Sequence, residues 1–385
     1  MALVLKNSLQ DRLSSVFQTQ SSLGVMTANL QLDVPLSIAM NQEVNSSRLE
    51  GKMLSENGQK MSVELIWNLP ECSPAVSGCP TDYCAEGSAP ATQDSETYTI
   101  TCSDSNTFKK GVTFEYADFK AMTALMDSLP TLDAPLSETM VRGTSIESKL
   151  FELISLVDKA HEARIAQFLF DSVPATTYGF SPKEIADIPD IATDKGKAVK
   201  TFGAVSATAF NELWSEVMYS AETARFGAKP IVIGGHLLKQ YVTLNSAVCC
   251  NSSGYDLGQI LADGQMAVIK SDSLANVFNT EYSTTSLKNM PWFLSYEAGA
   301  IQVVNYAQYR GMFEVTDNPL YYRTTVVSPF TGRAMDVAFS LTACGTKVNM
   351  TVSATEELYT RPETWCSGDY GYGVNGLQQF VIKNS

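Results

Sequence analysis

A chain of 385 residues and 41.9 kDa can bury a substantial core, and its length favours two or three domains or one body with large excursions. Hydrophobic residues at 44% and a mean hydropathy of -0.04 exclude wholesale disorder, while only 18% of residues are charged, so Ser, Thr, Asn and Gln take over the surface as they do at interfaces depleted of charge. The net charge of -14 and pI near 4.7 argue against gripping nucleic acid, because phosphate contacts need clustered Lys and Arg.

Lys109-Lys110, and Lys195 with Lys197 and Lys200, are the nearest approach to a basic cluster, and both read as solvated loop charge. Ala2 to Leu5 is too short for the apolar region of an export signal, and Lys6 interrupts it. No apolar run approaches the roughly 18 residues of a membrane span. The expectation is a chain made and used in the cytoplasm, where the sequons at Asn45, Asn251 and Asn349 carry no glycan.

In chain order, Leu5, Leu9, Leu13 and Phe17 recur at helical spacing in an N-terminal arm that passes through polar sequence to Pro35. Asn57-Gly58 marks a tight turn. From Met61 the pattern Val63, Leu65, Trp67 against Ser62, Glu64 and Ile66 reads as a strand, with further strands at Thr97–Cys102 and Gly111–Tyr116. The Pro, Ser, Gly and Cys-rich stretch from Asn68 to Ser95 is long for a loop inside a compact domain, and such loops are usually functional or ordered by a partner.

Thr144 and Glu147 form a capping box, and Ile146, Leu150, Ile154, Val157 and Phe168 then share one face of a helix over 145–172, with Lys149, Glu152, Asp158, Lys159 and Glu162 placed off that face. At 1.5 Å per residue it spans about 40 Å, the length of a strut. A second helix is predicted over Ser206–Arg225, followed by a buried strand at Lys229–Ile233 that runs into Gly234-Gly235 and another helix. Strands are predicted at Met266–Lys270, Ile301–Tyr309, Thr324–Ser328, Met335–Leu341, Lys347–Ser353 and Gln378–Lys383, separated by turns such as Asp317-Asn318-Pro319 and Pro329-Phe330-Thr331-Gly332.

Little in this chain reads as chemistry. Of the two histidines, His161 lies on the long helix as a polar or packed residue, and His236 follows Gly234-Gly235, which would suit an oxyanion or phosphate loop. Yet no G-x-G-x-x-G, P-loop or G-x-S-x-G sequence accompanies it. Cys72, Cys79, Cys84 and Cys102 are the candidate metal ligands, although only Cys79 with Cys84 has a spacing usual for zinc. A zinc site, disulfides formed in an oxidising medium and ordinary thiols all stay open. Cys249, Cys250, Cys344 and Cys366 read as small buried residues. The aromatic run from Tyr359 through Trp365, Tyr370 and Tyr372 reads as interface or loop packing, with a carbohydrate platform as the alternative. No catalytic residue and no cofactor is expected.

The order of arm, extended hairpin, long helix and mixed body resembles that of a tailed-phage major capsid protein with the Hong Kong 97-type fold, an α+β architecture, over most of the chain. Lys229–Tyr241 looks like an element of that body, and Pro329–Gly332 with Asp336 and Cys344 looks like its closing part. The resemblance implies an N-terminal arm over 1–44, an extended β-hairpin loop over 45–116 and a peripheral domain over 117–200 with the spine helix at 145–172. It further implies an axial-type α/β domain over 201–335, then return strands of the peripheral domain and a tail over 336–385.

Its implied function is a shell subunit, located in the virion and assembled in the host cytoplasm, forming hexamers and pentamers around double-stranded DNA. Scaffold, portal and decoration proteins are the further partners implied, with no membrane and no sequence-specific DNA binding. An acidic shell can contain DNA without gripping it. A surface adhesin would account for the Thr-rich strands but calls for an export signal, and an α/β enzyme calls for a nucleophile, base or metal set beside Gly234-Gly235.

Overall fold

The computed structural model describes residues 34–44, 52–57, 60–66, 95–101, 106–118, 146–174, 200–202, 217–221, 230–238, 240, 267–283, 290–297, 300–305, 321–342, 345–360 and 375–382. The predicted arm helix around Leu5–Phe17, most of Ser206–Arg225, the aromatic run beyond Thr360 and all eight cysteines lie outside these residues.

The first described helix is α1, Pro35–Val44. Three strands follow, β1 Lys52–Asn57, β2 Lys60–Ile66 and β3 Ser95–Thr101, which form an antiparallel sheet that no other described strand extends. Asn57 pairs with Lys60, so two residues turn β1 into β2, as Asn57-Gly58 predicts. Ile66 pairs with Ser95, so the residues between them leave and return at one point of the sheet.

The body is two five-stranded sheets joined by one helix. Strands β4 Thr107–Glu115, β9 Ile301–Asn305, β10 Tyr321–Val327, β11 Ala334–Leu341 and β12 Lys347–Thr360 form the first, in the order β10-β11-β12-β4, with β9 paired to the last five residues of β12. Strands β5 Lys200–Phe202, β6 Pro230–Gly234, β7 Ala267–Lys270, β8 Trp292–Glu297 and β13 Leu377–Ile382 form the second, in the order β5-β13-β8-β6-β7. It is mixed: β5 runs parallel to β13 and β7 to β6, with β8 antiparallel to both inner neighbours.

The long helix, α2 Ile146–Asp171, matches the predicted span. Pro174 follows it, and Asn375 donates to Ser172 O at its end. Its N-terminal half packs Leu150, Phe151, Ile154 and Val157 on Val337, Met350 and Val352 of the first sheet. Its C-terminal half packs Ile165, Leu169 and Phe170 on the second sheet and on α3, Asp272–Glu281, where Trp292 stacks on Tyr282 at 4.5 Å and 3°. Burial pushes the Tyr282 hydroxyl up to about 12. Between Leu150 and Asp171 only Glu152, Leu156, Lys159, Ala163 and Asp171 are exposed, a single narrow stripe. Helix α2 is therefore the seam of two cores rather than an amphipathic surface helix.

One expectation is corrected here. Asp158 and Glu162, placed off the apolar face by periodicity, are buried, because two sheets and two helices enclose α2 on almost every side. Sheet membership also crosses the boundaries drawn along the sequence. The hairpin was drawn to residue 116, but β4 pairs with β12 in the body; β9 and β10 fall in the first sheet although they precede 335, and β13 falls in the second although it follows 336. Strand pairing joins residues far apart in sequence, which no local pattern reveals. Helix α1, strands β1, β5 and β8 and helix α3 were not anticipated. Helix α3 did carry a legible start, with Ser271 as N-cap receiving Leu274 N, whereas the all-buried run of β8 has no alternation to read.

Candidate functional site

The densest chemistry among the described residues lies at the midpoint of α2, between the two cores. Asp158 Oδ2 accepts from the Ser328 hydroxyl at 2.6 Å and Oδ1 from the Thr331 hydroxyl at 2.9 Å. Both donors belong to the β10–β11 turn, in which Ser328 Oγ also receives Phe330 N and Thr331 N, and Gly332 takes φ 73. Pro329–Gly332 is thus the turn that docks on α2. Burial pushes the Asp158 carboxyl above the usual carboxylate range, against the pull of Ser328, Arg333 and Thr331.

One turn on, His161 is 1% exposed and its Nδ1 stands 3.1 Å from Oε2 of Glu356, also 1% exposed. Arg333, at 3% exposed, brings Nη1 to 3.1 Å from the same oxygen. Neither approach is aligned as a hydrogen bond, and among the described residues His161 Nε2 has no hydrogen-bond partner. Asn305 Nδ2 donates to Glu356 Oε1 at 2.7 Å and to Ala334 O at 2.8 Å, which ties β9 to β11 and β12. Burial pushes Glu356 up, opposed first by Arg333 and then by the Asn305 amide. Burial, then the charges of Arg333 and Arg164, hold His161 well below its usual value, so the imidazole is neutral.

At the rim, Arg164 Nη1 donates to Glu356 O at 2.8 Å and to Asn106 O at 3.3 Å, lies 5.7 Å over the Phe108 ring and faces Glu357. Asn106 Nδ2 in turn donates to Glu357. The cluster joins α2, β4, β9, β12 and the β10–β11 turn.

Glu162 works in the opposite direction. Its Oε2 receives Ser37 N at 2.8 Å and its Oε1 receives Leu36 N at 3.1 Å, so a carboxylate of α2 caps the free amides at the start of α1. Ser271, the N-cap of α3, donates to Oε1 at 3.4 Å. Replacing Glu162 with Ala leaves two buried amides unpaired, at an expected cost of about 2 kcal/mol. Faster hydrogen exchange over residues 35–44, with α2 still protected, is the measurement that checks it.

The Ser328 hydroxyl faces Asp158 rather than His161. His236 is exposed and 3.7 Å from Asp272, which pairs with Lys270 at 2.8 Å. Gly234 and Gly235 have a packing reason: a Cβ on Gly234 would lie 2.3 Å from Leu238, and one on Gly235 would lie 2.4 Å from the Ala275 Cβ of α3. Gly235 lets β6 and α3 close together and Gly234 makes room for Leu238, which accounts for the glycines without a phosphate. Cys72, Cys79, Cys84 and Cys102 lie outside the described residues, among which no group of three metal-ligating side chains occurs. No described helix is long and apolar enough to cross a membrane. Sequence reasoning missed Arg333, Asn305 and Glu356, which carry no local pattern.

No family model and no curated protein matches the chain. Solved structures do. The chain is similar to the cyanophage A-1(L) capsid asymmetric unit at a TM-score of 0.46 and 8% identity, covering 91% of this chain and 92% of that one. It is similar to a chain of the capsid of Myoviridae phage XM1 at a TM-score of 0.35 and 10% identity, covering 93% and 92%, and to a chain from Mycobacterium phage Che8 at 0.33 and 12%, covering 84% and 85%.

Proposed function

We propose that this chain is the major capsid subunit of a tailed phage, a structural protein that assembles with its own copies into an icosahedral shell around double-stranded DNA. The observation that carries the reading is the β1-β2-β3 sheet. It precedes a body spanned by one long buried helix, and no described strand of that body extends it. A sheet whose edges no described strand covers is suited to lie against another molecule.

The domains follow sheet membership: β4 with β9–β12 and the first half of α2 as the peripheral part, and β5–β8 with β13 and α3 as the axial part. Partners are further copies in hexamers and pentamers, with scaffold, portal and decoration proteins as the classes that this role brings. Expression of the full chain, alone and with a co-expressed scaffold, followed by sedimentation and negative-stain microscopy, tests the reading. Megadalton shells, tubes or capsomers are expected. A monodisperse monomer that turns over a small substrate overturns it.

A further inference from the structure

His161 stands where α2 passes from one sheet to the other, and it has no water-facing side. The charged groups around it come from three elements. Helix α2 brings Asp158, Glu162 and Arg164; the β10–β11 turn brings Arg333; β12 brings Glu356 and Glu357. The remaining walls are neutral: Phe108 of β4, with ring centroid 4.6 Å from the imidazole, Asn106 ahead of it, and Asn305 of β9.

Glu356 Oε2 is already shared between His161 and Arg333. A proton on the imidazole sets a third cation beside Arg164 and Arg333 at a buried position where Glu356 Oε2 already faces Arg333, and among the described residues no oxygen receives an Nε2–H. Water entering between the cores solvates that N–H.

We propose that His161 is an acid-triggered latch: the seam between the two cores is closed while its imidazole is neutral and opens when the imidazole is protonated. The two halves of α2 are held by separate cores, so opening at the midpoint loosens the β10–β11 turn and β12 from the helix without unfolding either sheet. The latch does not depend on the capsid reading.

The sign follows from the direction of each group. His161 is held below its ordinary value, so its contribution is present above about pH 6.5 and is lost as the pH falls from there. Asp158 and Glu356 are pushed up, so their contribution is fully present below about pH 4 and is lost as the pH rises through their folded values. They act against the histidine, and only a single-site comparison isolates it. For an opened-state value of about 6.5, His161 alone raises the opening constant by up to about 25-fold between pH 7 and pH 5, the limit in which the closed form takes up no proton.

Hydrogen exchange of the full chain, followed by mass spectrometry over 150–171 and 345–360 and corrected for intrinsic rates, tests the latch. Wild type, H161Q and H236Q are compared at pH 7 and pH 5. Protection in wild type relative to H161Q should fall by up to about 25-fold, with H236Q behaving as wild type. Equal loss in H161Q and wild type overturns the proposal. Should H161Q fail to fold, exchange at the imidazole C2 position in wild type decides: His161 neutral at pH 6 while the seam is closed supports the latch, and His161 protonated there with α2 fully protected overturns it. Either result stands whether or not the chain assembles.

Discussion

Replacing Arg333 with methionine is expected to destabilise the subunit by about 3–5 kcal/mol, because the guanidinium is the buried cation that faces both Asp158 and Glu356. The methionine fills the space and keeps the turn apolar, but two carboxyls that burial already pushes up lose their counter-charge. Denaturant unfolding at pH 7 should show a lowered midpoint with an unchanged slope. The deficit should shrink as the pH falls, because burial raises both carboxyls and a protonated carboxyl needs no cation. Adding Glu356→Gln to the methionine variant should recover part of the loss, since an amide can keep the Asn305 contact without a charge. A loss below about 1 kcal/mol would mean that the ionic cluster is ornament to the apolar cores on either side.

Replacing residues 67–94 with Asn-Gly should leave the fold intact and remove particles. Ile66 pairs with Ser95, so a two-residue turn closes β2 onto β3 without disturbing their register. The segment is rich in Pro, Ser, Gly and Cys and poor in periodic apolar residues, so little core is lost with it. Cooperative unfolding of the variant should stay within about 0.5 kcal/mol of wild type, while shells or capsomers disappear from sedimentation profiles or break on dilution. A variant that cannot fold would place the segment in a core and end the division between a reaching hairpin and a self-sufficient body. Normal particles would end its role in assembly. Changing Cys72, Cys79, Cys84 and Cys102 to Ser within the intact segment, with metal analysis and non-reducing electrophoresis, separates zinc, disulfides and ordinary thiols.

What the sequence determined by itself was local and periodic. The capping box and the apolar spacing from Ile146 to Phe168 gave α2 to within a residue at each end, and Asn57-Gly58 gave the turn between β1 and β2. The strand read over Lys347–Ser353 gave the first half of β12, which continues to Thr360. These patterns need only neighbours within a few residues, so a single chain displays them.

The tertiary structure alone decided which strands share a sheet and which polar residues go inside. Strand β4 reads like a third strand of the hairpin until β12 claims it, and β13 reads like a return strand until it lies between β5 and β8. Asp158 and Glu162 read as solvated helix charges until a turn 170 residues away supplies Ser328 and the start of α1 supplies its free amides. A carboxylate is expelled to water only where nothing buried can satisfy it. Here the partners come from Ser328, Thr331, Arg333, Asn305 and the amides of α1, whose positions relative to α2 exist only once the two sheets have closed on the helix.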